Sequence, residues 1–319
     1  MDATAVVLEE PQHLRLREVA LAPPSDADVV VDISFSGISS GTERLLWTGE
    51  MPPFPGMGYP LVPGYESVGV IRAAGPDSGR RAGEVVFVPG ARCFQGVNGL
   101  FGGAASSLVV SGARVVTLPP SMGEQGVLLA LAATAYHALR DRDGQVCPVD
   151  LVVGHGVLGR LITRVAIALG YDAPMVWESN ANRKASAPYD YAVCCADSDS
   201  RRDYRRICDA SGKSDLLDTL ISRLAPGGEV VLAGFYSEPL SFVFPPAFMR
   251  EACISVAAQW QPDDLSAVLD LITRDALSLD GLITHRLPAD QAHRAYHTAF
   301  GDPNCLKMIL DWRAEPHGG

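Results

Sequence analysis

The sequence predicts an α/β protein in two parts, a β-rich barrel-like half and a doubly wound parallel sheet. Three observations predict it. Over about the first 120 residues, short β-branched runs are separated by Gly and Pro, with no long amphipathic helix between them. From Asp150 onward strand-like and helix-like runs alternate, which implies βαβ units and a parallel sheet. Between one such strand and one such helix lies Gly154-x-Gly156-x-x-Gly159.

Taken in order, the first strands are expected at 29–35, 67–71, 84–88, 107–110 and 114–118, each bounded by turn-forming residues. The pattern changes after Pro119-Pro120, and 126–139 has helical spacing. Leu151-Val152-Val153 reads as a strand, and 160–169 as a helix closed by Gly170. Further strands are expected at 175–177, 191–195 and 204–208. A helix at 216–224 ends at Pro226-Gly227-Gly228, and strands follow at 229–233 and 254–258. Helical stretches at 263–273 and 289–299 lead to a last strand at 306–310. No internal repeat is evident.

Composition narrows the class. The 319 residues allow two domains, and 47% hydrophobic with 20% charged residues is the balance of a globular chain. The net charge is -11, and the densest basic cluster, Arg201-Arg202 with Arg205-Arg206, is interrupted by Asp203. Nucleic acid is therefore not an expected partner, because phosphate binding needs a concentrated positive face. No run reaches the roughly 18 apolar residues of a membrane helix, so no transmembrane segment is expected. The N-terminus lacks a basic stretch and cleavage site. Seven cysteines, mostly scattered singly, fit a reducing cytoplasm.

The glycine motif alone is a weak signal, but its surroundings strengthen it. A strand enters it, a helix leaves it, and Glu178 closes the next strand. Gly154 permits a tight turn, Gly156 lets backbone approach a pyrophosphate, and Gly159 lets the helix pack on the sheet. His155, Val157 and Leu158 complete the turn, whose amides would face the phosphates. Glu178 would accept hydrogen bonds from ribose hydroxyls and repel a 2′-phosphate, favouring NAD over NADP. Arg183 and Lys184 nearby keep NADP open.

Several segments together resemble the medium-chain dehydrogenase/reductase superfamily. Pro63-Gly64-Tyr65-Glu66-Ser67-Val68-Gly69 is similar to its Gly-His-Glu-x-x-Gly signature, and 131–139 to its helix carrying a Thr beside the nicotinamide, here Thr134. Asp209-Ala210-Ser211-Gly212 and Pro226-Gly227-Gly228 resemble its later strand ends and turns. The resemblance covers almost the whole chain. It implies a GroES-like β-rich catalytic domain, 1–125 with 261–319, and a Rossmann cofactor domain, 126–260. It adds Thr134, Ala210, Ser211 and Gly234 to the cofactor-binding set, and a homodimer joined near 255–259.

Departures from that pattern bear on the chemistry. Zinc-dependent members carry a Cys where this chain reads Gly37-Ile38-Ser39-Ser40-Gly41-Thr42-Glu43, and a His where it has Tyr65. Hydroxyls are poor Zn²⁺ ligands beside thiolate and imidazole. The four-cysteine structural lobe is also missing, Cys93 alone falling in that region. No metal is expected. A positioned side chain must then manage the alcohol proton. The candidates are Tyr65, Glu43, Glu66, Ser40, Thr42 and, beyond Thr134, His137; each has an ordinary packing or hydrogen-bonding role as its alternative.

Within the superfamily, the runs 47–67, 101–106 and 129–137 are similar to a branch acting on bacteriochlorophyllides. That resemblance implies NAD-dependent oxidation of a 3-(1-hydroxyethyl) group to 3-acetyl on a bacteriochlorophyllide, late in bacteriochlorophyll a synthesis. Trp47, Phe54, Met57 and Tyr59 would form an apolar wall for the macrocycle, a loop that reads equally as a packed aromatic plug or a subunit contact. Two other readings stay open: a zinc-free quinone or enoyl reductase, and a non-catalytic nucleotide-binding protein of the same fold.

Overall fold

In the computed structural model the described residues are 1–53, 56–185 and 190–313. They form two compact units, Met1–Ala130 with Gly281–Gly319, and Leu131–Asp280.

The first unit holds two sheets. One runs, edge to edge, through Ile283–Pro288, Lys307–Asp311, Asp28–Ile38, Ser67–Ala74, Val85–Val88 and Val116–Thr117, with Ser107–Ser111 also paired to Asp28–Ile38. The other orders His13–Ala20, Asp2–Glu10, Leu61–Val62 and Asn98–Gly99. Val6, Leu8, Val29, Val31, Ile71 and Leu108 are all buried in their common core. Burying such β-branched and aliphatic side chains is what makes strands of these runs. Strand Asp28–Ile38 is central to the site, because it pairs with Ser67–Ala74 on one side and Lys307–Asp311 on the other. Its end therefore meets Glu66 and the C-terminal strand at once.

Several elements here depart from expectation. The hairpin Asp2–Glu10/His13–Ala20, the strand Ile283–Pro288 and the seven-residue helix Thr42–Thr48 were not anticipated. The helix expected from 126 starts as a α-helix only at Leu129, after a 3₁₀ stretch Pro120–Leu128 in which Gly123 adopts φ 51°.

The second unit contains a six-stranded parallel sheet. Its spatial order is Val193–Cys194, Met175–Trp177, Leu151–Val153, Tyr204–Asp209, Leu224–Leu232, Cys253–Val256, which is 3-2-1-4-5-6 in chain order. The order reverses between Leu151–Val153 and Tyr204–Asp209, and ligands of such sheets bind at the carboxyl ends of strands beside that reversal. Helices Val157–Ala168 and Leu217–Arg223 accompany the sheet, as expected within a few residues. Pro226-Gly227-Gly228 lies inside the fifth strand rather than ending before it, where the ladder slips between Tyr204 and Arg206. Helix Phe244–Arg250 was unexpected; its two prolines occupy the first turn, where no amide is needed.

The second break between units falls at 280/281, not at 260/261. Helix Pro262–Thr273 begins with a capping box of Gln261 and Asp264, and the buried Asp264 also binds His137 Nδ1 at 2.9 Å. That tie places it with the second unit.

Candidate active site

Strand Asp28–Ile38 ends at a turn, Ser39 to Gly41, before helix Thr42–Thr48. Beside the turn, Tyr65 follows Gly64, whose φ of 97° suits glycine. The Tyr65 hydroxyl donates to Ser39 Oγ at 2.7 Å, and Thr42 Oγ1 lies 3.2 Å from Ser39 Oγ and 3.3 Å from the Tyr65 oxygen. Three hydroxyls thus form a small ring. Ser39 is buried, while Thr42 and Tyr65 are half-buried and Ser40 is exposed on the outside of the turn. Burial, reinforced by the Glu66 charge, holds the Tyr65 phenol above its ordinary range, so it stays a hydrogen-bond donor. Phe101 packs edge-on against its ring, centroids 5.1 Å apart.

Two carboxyls lie behind the ring, both fully buried. Glu43 Oε1 accepts from the Ser39 amide at 3.0 Å and Oε2 accepts from the Tyr296 hydroxyl at 2.7 Å. Burial drives the Glu43 pKa up to about 7, against those two hydrogen bonds. Glu66 Oε2 pairs with Lys307 Nζ at 2.6 Å, and that ammonium also donates to the Ile38 carbonyl at 3.3 Å. Burial raises the Glu66 carboxyl as well, with Lys307 pulling it back. Both carboxyls are thus enclosed and engaged with protein partners, whereas direct action as a base needs contact with the substrate oxygen.

The expected apolar wall divides. Trp47 is 6% exposed, with its ring 5.9 Å from that of Tyr296 and 5.2 Å from that of His297. It is core, not wall, because Trp47 lies in the last turn of helix Thr42–Thr48, on its buried face. The Tyr59 hydroxyl is spent on the Leu46 carbonyl. Met57 is half-buried against the same core. Phe54 lies outside the described residues.

In the cofactor unit, Gly154 has φ 94° and a Cβ on Gly159 would lie 1.8 Å from the Gly154 carbonyl oxygen. No other residue fits at 159. Gly156 precedes helix Val157–Ala168 with no side-chain cap, leaving the first-turn amides of Val157, Leu158 and Gly159 to a ligand. His155 is buried, its Nε2 2.9 Å from the Tyr191 hydroxyl, and burial lowers its pKa to about 4. Glu178 is nearly buried; it accepts from the His155 amide at 3.0 Å and the Asn180 amide at 2.7 Å. Those bonds aim the carboxylate and still leave it lone pairs. Ala210, Ser211 and Gly234 gather at the neighbouring strand ends: a Cβ on Gly154 would meet Ser211 Cα at 3.1 Å, and one on Gly234 the Gly212 nitrogen at 2.9 Å. These residues fit a dinucleotide. Thr134 and His137 share helix Leu129–Ala138, and His137 is committed to Asp264.

A 2-desacetyl-2-hydroxyethyl bacteriochlorophyllide A dehydrogenase of Rhodobacter capsulatus is 55% identical to this chain, over 98% of it and 99% of that protein. The chain belongs to the bacteriochlorophyllide dehydrogenase family of the medium-chain dehydrogenases/reductases. A family member from Cereibacter sphaeroides, of the same description, is 54% identical over 98% of this chain and 99% of its own. Residues 25–120 match the alcohol dehydrogenase GroES-like domain. The fold is shared with a cinnamyl alcohol dehydrogenase of Sorghum bicolor (TM-score 0.83, 21% identity, all of both chains) and with an alcohol dehydrogenase of Escherichia coli complexed with NADH (TM-score 0.81, 23% identity, 98% of this chain and 99% of that one).

For this family member the zinc question is one of donors. Ser39 and Tyr65 offer hydroxyls, Glu66 is held by Lys307, Glu43 by Ser39 and Tyr296, and Cys93 is buried in the core of its unit. Among the described residues no group of three or more His, Cys, Asp or Glu is placed to hold a metal. The donor set does not fit zinc. Sequence reasoning missed Tyr296 and Lys307, which complete the buried half of the site; their partners lie 253 and 241 positions away, and no local signal marks them.

Proposed function

We propose that this protein oxidises the 3-(1-hydroxyethyl) group of a bacteriochlorophyllide to 3-acetyl, with NAD as acceptor and without catalytic zinc. The observation carrying the reading is the near-full-length identity to two bacteriochlorophyllide dehydrogenases. When bound, NAD supplies the hydride acceptor; Gly154 to Gly159 would hold its pyrophosphate and Glu178 its adenosine ribose. The chain's own residues handle the alcohol. The half-buried hydroxyls of Tyr65 and Thr42 hydrogen-bond the substrate oxygen, and as hydride leaves for NAD the alcohol proton passes to the Thr42 hydroxyl, which releases its own to water. Conjugation of the carbinol carbon with the macrocycle spreads the positive charge that develops as hydride leaves, so a strong base is not required.

The test is an absorption assay of acetyl formation with purified protein, 3-(1-hydroxyethyl) bacteriochlorophyllide and NAD, then NADP. Turnover is expected with NAD, to persist after chelation, and to lose its NAD preference in Glu178→Ala. Cofactor binding without turnover would favour the non-catalytic reading, and reduction of quinones or enoyl substrates with NADPH the reductase reading.

The cofactor unit supports a homodimer. Strand Cys253–Val256 is the sheet edge, and beside it Phe242, Val243, Phe244, Phe248 and Met249 are exposed, the last at 75%. A cavity of about 630 Å³ is lined by the same helix. An apolar patch, bordered by Arg250 and Glu251 and contiguous with an open strand edge, suits a second copy about a two-fold axis. Sedimentation should give a dimer that dissociates in Phe248→Asp/Met249→Asp; a monomer at micromolar concentration would refute this. Among the described residues no helix is long and apolar enough to cross a membrane, and no disulfide forms.

A further inference from the structure

We propose that Tyr296 is a positioning residue of the dehydrogenase, holding through Glu43 the turn that carries the hydroxyl ring. The proposal rests on the reading of that ring as the substrate-facing site. The connection is continuous. The Tyr296 hydroxyl donates to Glu43 Oε2 (2.7 Å), Glu43 Oε1 accepts from the Ser39 amide (3.0 Å), and Ser39 Oγ accepts from Tyr65 (2.7 Å). Each residue between the C-terminal helix Ala292–Gly301 and the ring is therefore joined by a hydrogen bond.

The turn needs this support. Helix Thr42–Thr48 has no side-chain cap at Gly41, and the flanking Ser40 and Gly41 are exposed. Ser39 is the last buried residue before the chain emerges, so the bond to its amide fixes where its hydroxyl points. A hydroxyl displaced by a fraction of an ångström still lies in the site but no longer meets the reacting oxygen, and such misplacement is paid for in rate rather than in binding. Glu43 is well suited to transmit the constraint, because a carboxyl offers one oxygen to each neighbour and this one is wholly enclosed. Tyr296 in turn cannot drift. It is fully buried, with Phe300 edge-on at 5.6 Å and Trp47 at 5.9 Å between centroids. This gives Trp47 its place in the site, as packing behind the tyrosine.

The geometry separates a strut from a base. A glutamine at 43 can accept from the Ser39 amide and donate to the Tyr296 oxygen, so it preserves the connection while removing the ionisable group. Alanine breaks it.

The experiment compares Tyr296→Phe, Glu43→Gln and Glu43→Ala in the full-length enzyme. Tyr296→Phe keeps the ring and removes one hydrogen bond; kcat is expected to fall about tenfold with KM for both substrates nearly unchanged. Glu43→Gln should keep kcat within about threefold of wild type, and Glu43→Ala should fall at least as far as Tyr296→Phe, with the double variant no worse than Glu43→Ala alone. Full activity in Tyr296→Phe would overturn the proposal. So would equal damage in Glu43→Gln and Glu43→Ala, since that would show the ionisable group itself to be needed. A second readout does not depend on turnover. With tyrosine labelled at the phenolic carbon, the Tyr65 resonance (assigned through Tyr65→Phe) should move in Glu43→Ala and Tyr296→Phe and stay in Glu43→Gln. Should wild-type protein fail to oxidise the pigment, the functional reading fails while this spectroscopic pattern still decides the strut; an unmoved Tyr65 signal in Glu43→Ala overturns it. Should Tyr296→Phe not fold, the two Glu43 variants carry the same comparison.

Discussion

Lys307→Met is expected to destabilise the protein by about 3–5 kcal/mol at neutral pH, because it leaves a charge buried without its partner. Lys307 is 2% exposed and Glu66 is fully enclosed. Their 2.6 Å contact offsets a desolvation cost that neither group could meet alone. The site has no slack: Glu66 Oε1 already lacks a hydrogen-bond partner, and a Cβ on Gly37 would come within 2.2 Å of Glu66 Oε2. The carboxyl cannot turn toward another donor. It can only take up a proton, which limits the loss to the quoted range. Lys307→Met combined with Glu66→Leu should recover most of it, since two apolar side chains of similar volume need no compensation. Urea unfolding of the three variants measures this. A single variant within 1 kcal/mol of wild type would show that water or another group reaches Glu66.

The second large effect depends on pH. Burial raises the Glu43 carboxyl from 4.5 to about 7. Between those values the folded chain keeps a proton that the unfolded chain has released. Its contribution to stability is therefore complete below pH 4.5, declines through the window, and is gone above about pH 7. At about 1.4 kcal/mol per pKa unit, roughly 3 kcal/mol is lost across it. Glu43→Gln has nothing to titrate. Its stability should lack that decline, so that relative to wild type it gains up to about 3 kcal/mol between pH 5 and pH 8. Identical pH profiles for the two proteins would mean that Glu43 is ionised throughout.

Both effects concern pairings that a linear reading does not reveal. Tyr296 reaches Glu43 across 253 positions and Lys307 reaches Glu66 across 241, and nothing in local composition marks such partners. The cofactor turn was legible because its determinants are local: Gly154, Gly156 and Gly159 answer steric demands within one loop, and Glu178 needs only to end the next strand. The strands around Val29 and Leu151 were legible for the same reason, being β-branched and bounded by breakers. His13–Ala20 was passed over although Leu14 and Leu16 alternate with His13, Arg15 and Arg17, a period-two signal in plain view. Helices Thr42–Thr48 and Phe244–Arg250 are too short for their period to register. Trp47 and Tyr59 were read as facing a substrate because aromatic content says how much surface a loop can bury, not against what. Only tertiary packing assigns the direction.

The discontinuity of the first unit has a consequence for biosynthesis. Leu131–Asp280 is one continuous run, complete when the ribosome reaches its end, whereas the other unit waits for its closing segment. Strand Lys307–Asp311 inserts between Ile283–Pro288 and Asp28–Ile38, and it arrives last. Until it does, Glu66 has no counter-charge and the ring has no frame. A product truncated before residue 307 would therefore lack both the strand that frames the hydroxyl ring and the partner of Glu66.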